Sequence, residues 1–105
     1  MGLAADFNRR RTRSLRDALF AVFKDQEAAR AVGEQYLKEH PEDRDTNRLA
    51  AELFGPRPRR LSPQQVRRVL NRRRVDDFTN DRCALVSNWV LARSEARACA
   101  LVALL

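Results

Sequence analysis

Trp89-Val90-Leu91-Ala92-Arg93-Ser94-Glu95-Ala96-Arg97-Ala98-Cys99-Ala100-Leu101-Val102-Ala103-Leu104-Leu105 contains the only tryptophan of the chain and its densest apolar run. Trp89-Val90-Leu91 is aromatic and β-branched, which suits a pleated segment. Upstream, Cys83-Ala84-Leu85-Val86 is a second short apolar run, separated from the first by Ser87-Asn88 alone. Two residues are a hairpin-length connection, and asparagine tolerates the positive φ that such a turn demands. The pattern therefore predicts a two-stranded β-hairpin over about 82–92. Beyond it, Ser94 is placed to cap a helix, with Glu95 in the first turn where a carboxylate favours the dipole. From Ala98 to Leu105 this helix has no polar face, so it reads as buried, and it is too short to span a bilayer. The expectation is that the final helix and hairpin form the centre of the core, with Trp89 buried in it.

The residues Asp77-Phe78, Arg82, the run Trp89 to Arg97 and Cys99-Ala100-Leu101 resemble the C-terminal signature of a group of small uncharacterised bacterial proteins. Leu19-Phe20, Asp25, Gly33, Tyr36-Leu37 and Pro41-Glu42 are similar to that group's N-terminal half. Two departures stand out: Ser87-Asn88 replaces an Asp-Gly turn, and Ala92 stands where a serine would complete a capping box with Glu95. The resemblance implies no activity. Many of the group carry an export signal, and this sequence shows none that is convincing.

At 105 residues the chain has the size of one domain. Cys83 and Cys99 lie in apolar runs without C-x-x-C spacing, and the single histidine cannot complete a zinc set with them. Both read as buried free thiols in a reducing cytoplasm; a hairpin-to-helix disulfide is the alternative for an exported chain. The net charge is +7, carried almost wholly by arginine, since lysine occurs only at 24 and 38. A positive balance predicts affinity for anionic partners.

Residues 1–13 read as a flexible basic arm with Arg9, Arg10, Arg11 and Arg13, and 14–105 as a single small helical domain. Twin arginines ahead of Ala18 to Phe23 suggest an export signal, but that apolar run ends after six residues. A cytoplasmic location follows as the expectation. Ser14 is the expected cap of a first helix whose inward stripe is Leu15, Ala18, Leu19, Val22 and Phe23. Asp25 caps a second with Ala28, Ala29, Val32, Tyr36 and Leu37 inward, and Gly33 marks a close helix crossing. His40, beside Pro41, reads as solvated. After a charged linker, Thr46 opens a short helix with Leu49, Ala50, Leu53 and Phe54 inward, which Gly55 and Pro56 stop. Ser62-Pro63-Gln64-Gln65 is a capping box with proline in the first helical position. The helix it starts carries Val66, Val69, Leu70, Val75 and Phe78 on one broad face, with Arg68 and Arg72 opposite and Arg67, Arg73 and Arg74 at the margins. The fold class is thus α+β and mainly α: about four helices, the hairpin and a buried C-terminal helix.

No nucleophile with a base and no metal set is present in a recognisable pattern, so the chain reads as non-enzymatic, without cofactor or metal. Trp89, Arg93, Glu95 and Arg97 read as a structural motif in which Glu95 pairs with Arg93, Arg97 or Arg82. The partner-binding candidates are Arg9, Arg10, Arg11, Arg13, Arg67, Arg68, Arg72 and Arg74, with Phe7 or Phe54 as apolar anchors. The function expected is docking on an acidic protein partner, because arginine pairs bidentately with carboxylates. The alternative is a winged-helix-like nucleic-acid-binding module: an arginine-rich helix followed directly by a hairpin, preceded by connector arginines 57, 59 and 60. Against it, Gly55 to Leu61 is long for the turn of a helix-turn-helix. The discriminating feature is where the arginines sit: Arg67, Arg68, Arg72 and Arg74 joined with Arg57, Arg59 and Arg60 in one continuous exposed stripe would favour the nucleic-acid reading, and their dispersal or pairing with Asp43, Asp45, Asp76 and Asp77 would count against it.

Overall fold

The computed structural model describes residues 15–56 and 61–105. Five helices and one hairpin follow in the order α1 (15–22), α2 (Gln26–Glu39), a 3-10 turn (Pro41–Asp43), α3 (Thr46–Phe54), α4 (Pro63–Thr79), β1 (Cys83–Val86), β2 (Trp89–Ala92) and α5 (Arg93–Leu104). The basic arm (1–13), the expected α1 cap Ser14 and the connector arginines 57, 59 and 60 lie outside the described residues.

Local chemistry sets most of the boundaries. Asp25 caps α2 by accepting the Ala28 N–H at 3.0 Å, and Asp45 caps α3 by accepting that of Arg48 at 3.1 Å. In α4 the capping box closes both ways: Ser62 Oγ accepts the Gln65 N–H, and Gln65 Oε1 accepts the Ser62 N–H. Asn80 is the C-cap of α4, and Asp81 then takes φ 56°, the left-handed conformation usual after a helix C-cap. The strands pair antiparallel in the register Cys83↔Ala92, Ala84↔Leu91, Leu85↔Val90 and Val86↔Trp89. Ser87 and Asn88 both have positive φ (49° and 67°), as a tight two-residue hairpin requires.

α5 is the hub. Ala96, Ala98, Ala100, Leu101 and Val102 have no measurable exposure, and α2, α3 and α4 all pack on it. Its alanines leave the helix thin, which lets α2 come very close. A Cβ added at Gly33 would overlap the Cys99 carbonyl and stand 2.8 Å from the Ala100 nitrogen. Only glycine fits this crossing, the reason for its presence in mid-helix despite a cost of about 1 kcal/mol relative to alanine.

Several expectations are corrected. Trp89 is 73 % exposed, so the hairpin is not part of the core except through Val86, Ala92 and the half-buried Ala84 and Leu91. Cys83 is exposed and Cys99 buried, both free. Ala28 faces solvent; its neighbour Ala29 is buried. His40 is not simply solvated: it is half-buried and stacks on Tyr36 with ring centroids 4.5 Å apart. α5 starts two residues earlier than expected, at Arg93 with Ala92 in the cap position, and Ser94 does not cap it. The cap comes from another helix, because Asp77 of α4 accepts the Ser94 N–H at 2.7 Å.

Candidate interaction surface

α4 supplies the main exposed feature. Only Val66 and Asp77 of its residues are buried, with Val69 and Leu70 half-buried beside them. Val75 lies nine residues beyond Val66, about two and a half turns, so it points away from the core. Val75 and Phe78 are 62 % and 46 % exposed, and the single broad apolar face read from the sequence is in fact two stripes. The outer one runs among Arg67, Arg68, Arg72 and Arg74, all four exposed.

Among the described residues, none of these four arginines joins an ion pair. The carboxylates that could have neutralised them have other partners. Asp76 pairs with Arg82 and also accepts from Asn80. Asp77 pairs with Arg82 at 3.0 Å in addition to capping α5. Burial raises the Asp77 pKa, but hydrogen bonds from Ser94 and the Arg82 guanidinium outweigh it and hold the carboxyl below its ordinary value. Asp45 is a helix cap, and Asp43 sits in a buried network. There it accepts the Tyr36 hydroxyl at 2.5 Å, pairs with Arg48, and lies 3.5 Å from Arg97 Nε. Burial acts to raise Asp43 too, and these partners again bring it below the ordinary carboxylate range. Burial beside that carboxylate pushes the Tyr36 hydroxyl up. Arg68 and Arg72, four apart on the open face, therefore repel each other without local compensation, at a cost of a few tenths of a kcal/mol.

The motif around Trp89 is dispersed. Arg97 turns inward to Glu52 at 3.0 Å and to Asp43, and Arg82 is held by Asp76 and Asp77. Glu95 joins no ion pair among the described residues, contrary to expectation. Its carboxyl is pushed up by burial and by Asp77, with Arg74 acting in the opposite direction. Arg93 is exposed. Cys99 is pushed up to about 12 by burial and by Glu95, which keeps it a thiol at neutral pH.

In comparisons with known proteins, no family model matches the chain, and no curated protein or solved structure does either. The surface therefore has to be read from its own chemistry.

Two clefts flank α4. One, of about 160 Å³, lies where α3, α4 and α5 meet, and it mixes Arg73, Arg82, Arg93 and Arg97 with Glu52 and Asp77. Arg82 pairs there with Asp77 and Arg97 with Glu52, Arg73 donates to the Leu53 carbonyl at 3.3 Å, and Arg93 joins no ion pair among the described residues. The other, of about 370 Å³, is floored by Leu53, Phe54 and Val69 and edged by Arg72 and Arg73. Phe54, one expected anchor, is half-buried there; Phe7, the other, lies outside the described residues. No described helix is long and apolar enough to cross a membrane. The exposed apolar side chains of the hairpin, Leu85, Trp89 and Val90, were missed as a surface because their composition is that of a core strand.

Proposed function

We propose that this protein works by docking on an acidic protein partner, with the outward face of α4 as a principal contact. The observation that carries the reading is the state of Arg67, Arg68, Arg72 and Arg74: exposed, interleaved with Val75 and Phe78, and without ion pairs among the described residues. Guanidinium groups beside exposed apolar side chains suit carboxylate-bearing protein surfaces, where charge speeds encounter and apolar anchors set residence time. A nucleic-acid-binding role is the second reading. It is favoured by the same open arginines and by the order α3, α4, hairpin, and it lacks an account of why Val75 and Phe78 are exposed among them.

The test is a cross-linked pull-down from nuclease-treated host extract, using wild type and the Arg67→Glu, Arg68→Glu, Arg72→Glu, Arg74→Glu variant. Stoichiometric recovery of one acidic protein by wild type and its loss in the variant is the expected result. Equal recovery by both proteins would sink the reading. Tighter retention of a duplex or RNA than of heparin at physiological salt would replace it with the nucleic-acid one.

A further inference from the structure

The larger of the two clefts beside α4, about 370 Å³, is floored by Leu53 and Phe54 from the end of α3 and by Val69 of α4, with Arg72, Arg73 and Asp76 of α4 along its edge. Positions 69, 72, 73 and 76 fall on one face of a helix, because residues three and four apart are surface neighbours. The same spacing fixes the surroundings of the cleft. Arg68 lies one turn before Arg72 and Val75 one turn after it, so the cleft opens directly beside the arginine stripe. A cavity of about 150 Å³ takes benzene, so this one has room for a leucine or aromatic side chain.

The charges on its edge are unequal. Asp76 is held by Arg82 and accepts from Asn80. Arg73 donates to the Leu53 carbonyl at 3.3 Å, which ties α4 to the end of α3. Arg72, exposed, joins no ion pair among the described residues. An uncompensated guanidinium thus stands at the rim of an apolar hollow.

We propose that this cleft receives one leucine or aromatic side chain of the acidic partner, with a carboxylate of the same segment on Arg72; the inference rests on the docking reading above and names its anchor point. Charge complementarity selects this occupant. A carboxylate without a large neighbour leaves the floor wet, and a large side chain without a carboxylate leaves Arg72 unmatched. A second copy of the chain offers large exposed side chains but not the charge. The carboxylates beside its Phe78, Asp76 and Asp77, are engaged by Arg82, and its Trp89 is followed four positions later by the exposed Arg93.

Glycine amides report on the site. The chain has three glycines; Gly55 lies in the cleft wall and Gly33 at the remote α2–α5 crossing. The probes are a short blocked peptide of glutamates around one central phenylalanine, the same peptide with alanine at the centre, and a short DNA duplex, all at physiological salt. The phenylalanine peptide is expected to bind at least about tenfold more tightly than the alanine one, as burial of a large apolar side chain requires. It should also move the Gly55 amide resonance and leave that of Gly33 in place. Val69→Phe fills the cleft from α4 and should erase the difference between the peptides while leaving affinity for the alanine peptide unchanged; Arg72→Gln should weaken both. Equal affinity of the two peptides, or preference for phenylalanine with Gly55 unmoved, overturns the cleft and leaves the docking reading in place. Binding of neither peptide overturns both, as does tighter binding of the duplex. Self-association that moves Gly55 in the absence of peptide overturns the choice of occupant in favour of a second copy. If Val69→Phe fails to fold, the wild-type comparison of the two peptides and the Gly55 resonance still decide.

Discussion

The hairpin and α5 are consecutive in the chain and similarly apolar, yet one is open to water and the other closed off from it. In α5, Ala96, Leu101 and Val102 are fully buried; in the hairpin, the face of Ala84, Val86 and Leu91 is covered except for Trp89 beside the turn, while Leu85 and Val90 on the other face are open to solvent. A helix surrounded by others buries its whole circumference. A two-stranded sheet laid on a core can bury only one face, and its other face must be polar, covered by a partner, or left apolar and exposed. Here it is the last. Apolar composition thus identifies what can be buried, and the arrangement of elements decides what is.

The sharpest way to break the contrast is at the α2–α5 crossing. Gly33→Ala drives a methyl into the α5 backbone, which has no flexible side chain to yield, and should cost at least about 3 kcal/mol despite the better helix propensity of alanine. Chemical denaturation measures it; a loss under about 1 kcal/mol would mean that α2 and α5 are less closely held than described.

The next effect is at the polar anchor of α5. Asp43→Asn removes the charge facing Arg48 and Arg97 and weakens the acceptor of the Tyr36 hydroxyl, and should cost about 2 kcal/mol, with allowance for the partly exposed arginines. Asp43 and Asp77 both have folded pKa values below their unfolded ones, so the unfolded chain takes up their protons first as pH falls. Their stabilisation is in place above the ordinary carboxylate pKa of about 4 and is lost on acidification through the lowered folded values. Melting temperature against pH should fall steeply in that range for wild type and less steeply for Asp43→Asn with Asp77→Asn. Parallel curves would refute the assignment.

Glu95 has the opposite sign. Its folded pKa is raised, so its contribution grows less favourable as pH rises through the carboxylate range. Glu95→Gln should raise the melting temperature at neutral pH and lose that advantage in acid; a variant less stable than wild type at pH 7 would show that Glu95 has an attractive partner after all. The smallest effect belongs to the hairpin. Trp89→Ala should change stability by no more than about 0.5 kcal/mol, as for an exposed surface residue. A loss of several kcal/mol would return Trp89 to the core.

Much of this architecture was legible because it is written in neighbouring residues. The Ser62-Pro63-Gln65 box, the Asp25 cap and the Ser87-Asn88 turn are short-range signals, and a glycine inside a helical pattern, Gly33, marks a crossing even though its contact, Cys99, is far along the chain. What escaped the sequence depends on distance. Asp77 caps a helix seventeen positions away, and the carboxylate of Asp43 gathers Tyr36, Arg48 and Arg97 from three elements. No local pattern distinguishes such groups from surface charges. Of the candidate surface, Arg67, Arg68, Arg72 and Arg74 were placed opposite or beside the apolar face with their pairing left open, and their neighbours Val75 and Phe78 were assigned inward because an apolar side chain at nearly helical spacing suggests the core. Half a turn of accumulated phase separates the two stripes. The hairpin face was invisible for the related reason that alternation was absent: its inner and outer positions are equally apolar.

The placement of α5 after every helix it supports has a consequence for synthesis. α1 to α4 emerge from the ribosome first, yet α2, α3 and α4 all pack on α5, and the stretch that completes the core follows them. The growing chain must therefore keep its apolar stripes uncovered until α5 emerges, and only then can it close as one cooperative unit. A nascent chain stalled before Arg93 would be a substrate for chaperones and proteases rather than a partly working protein.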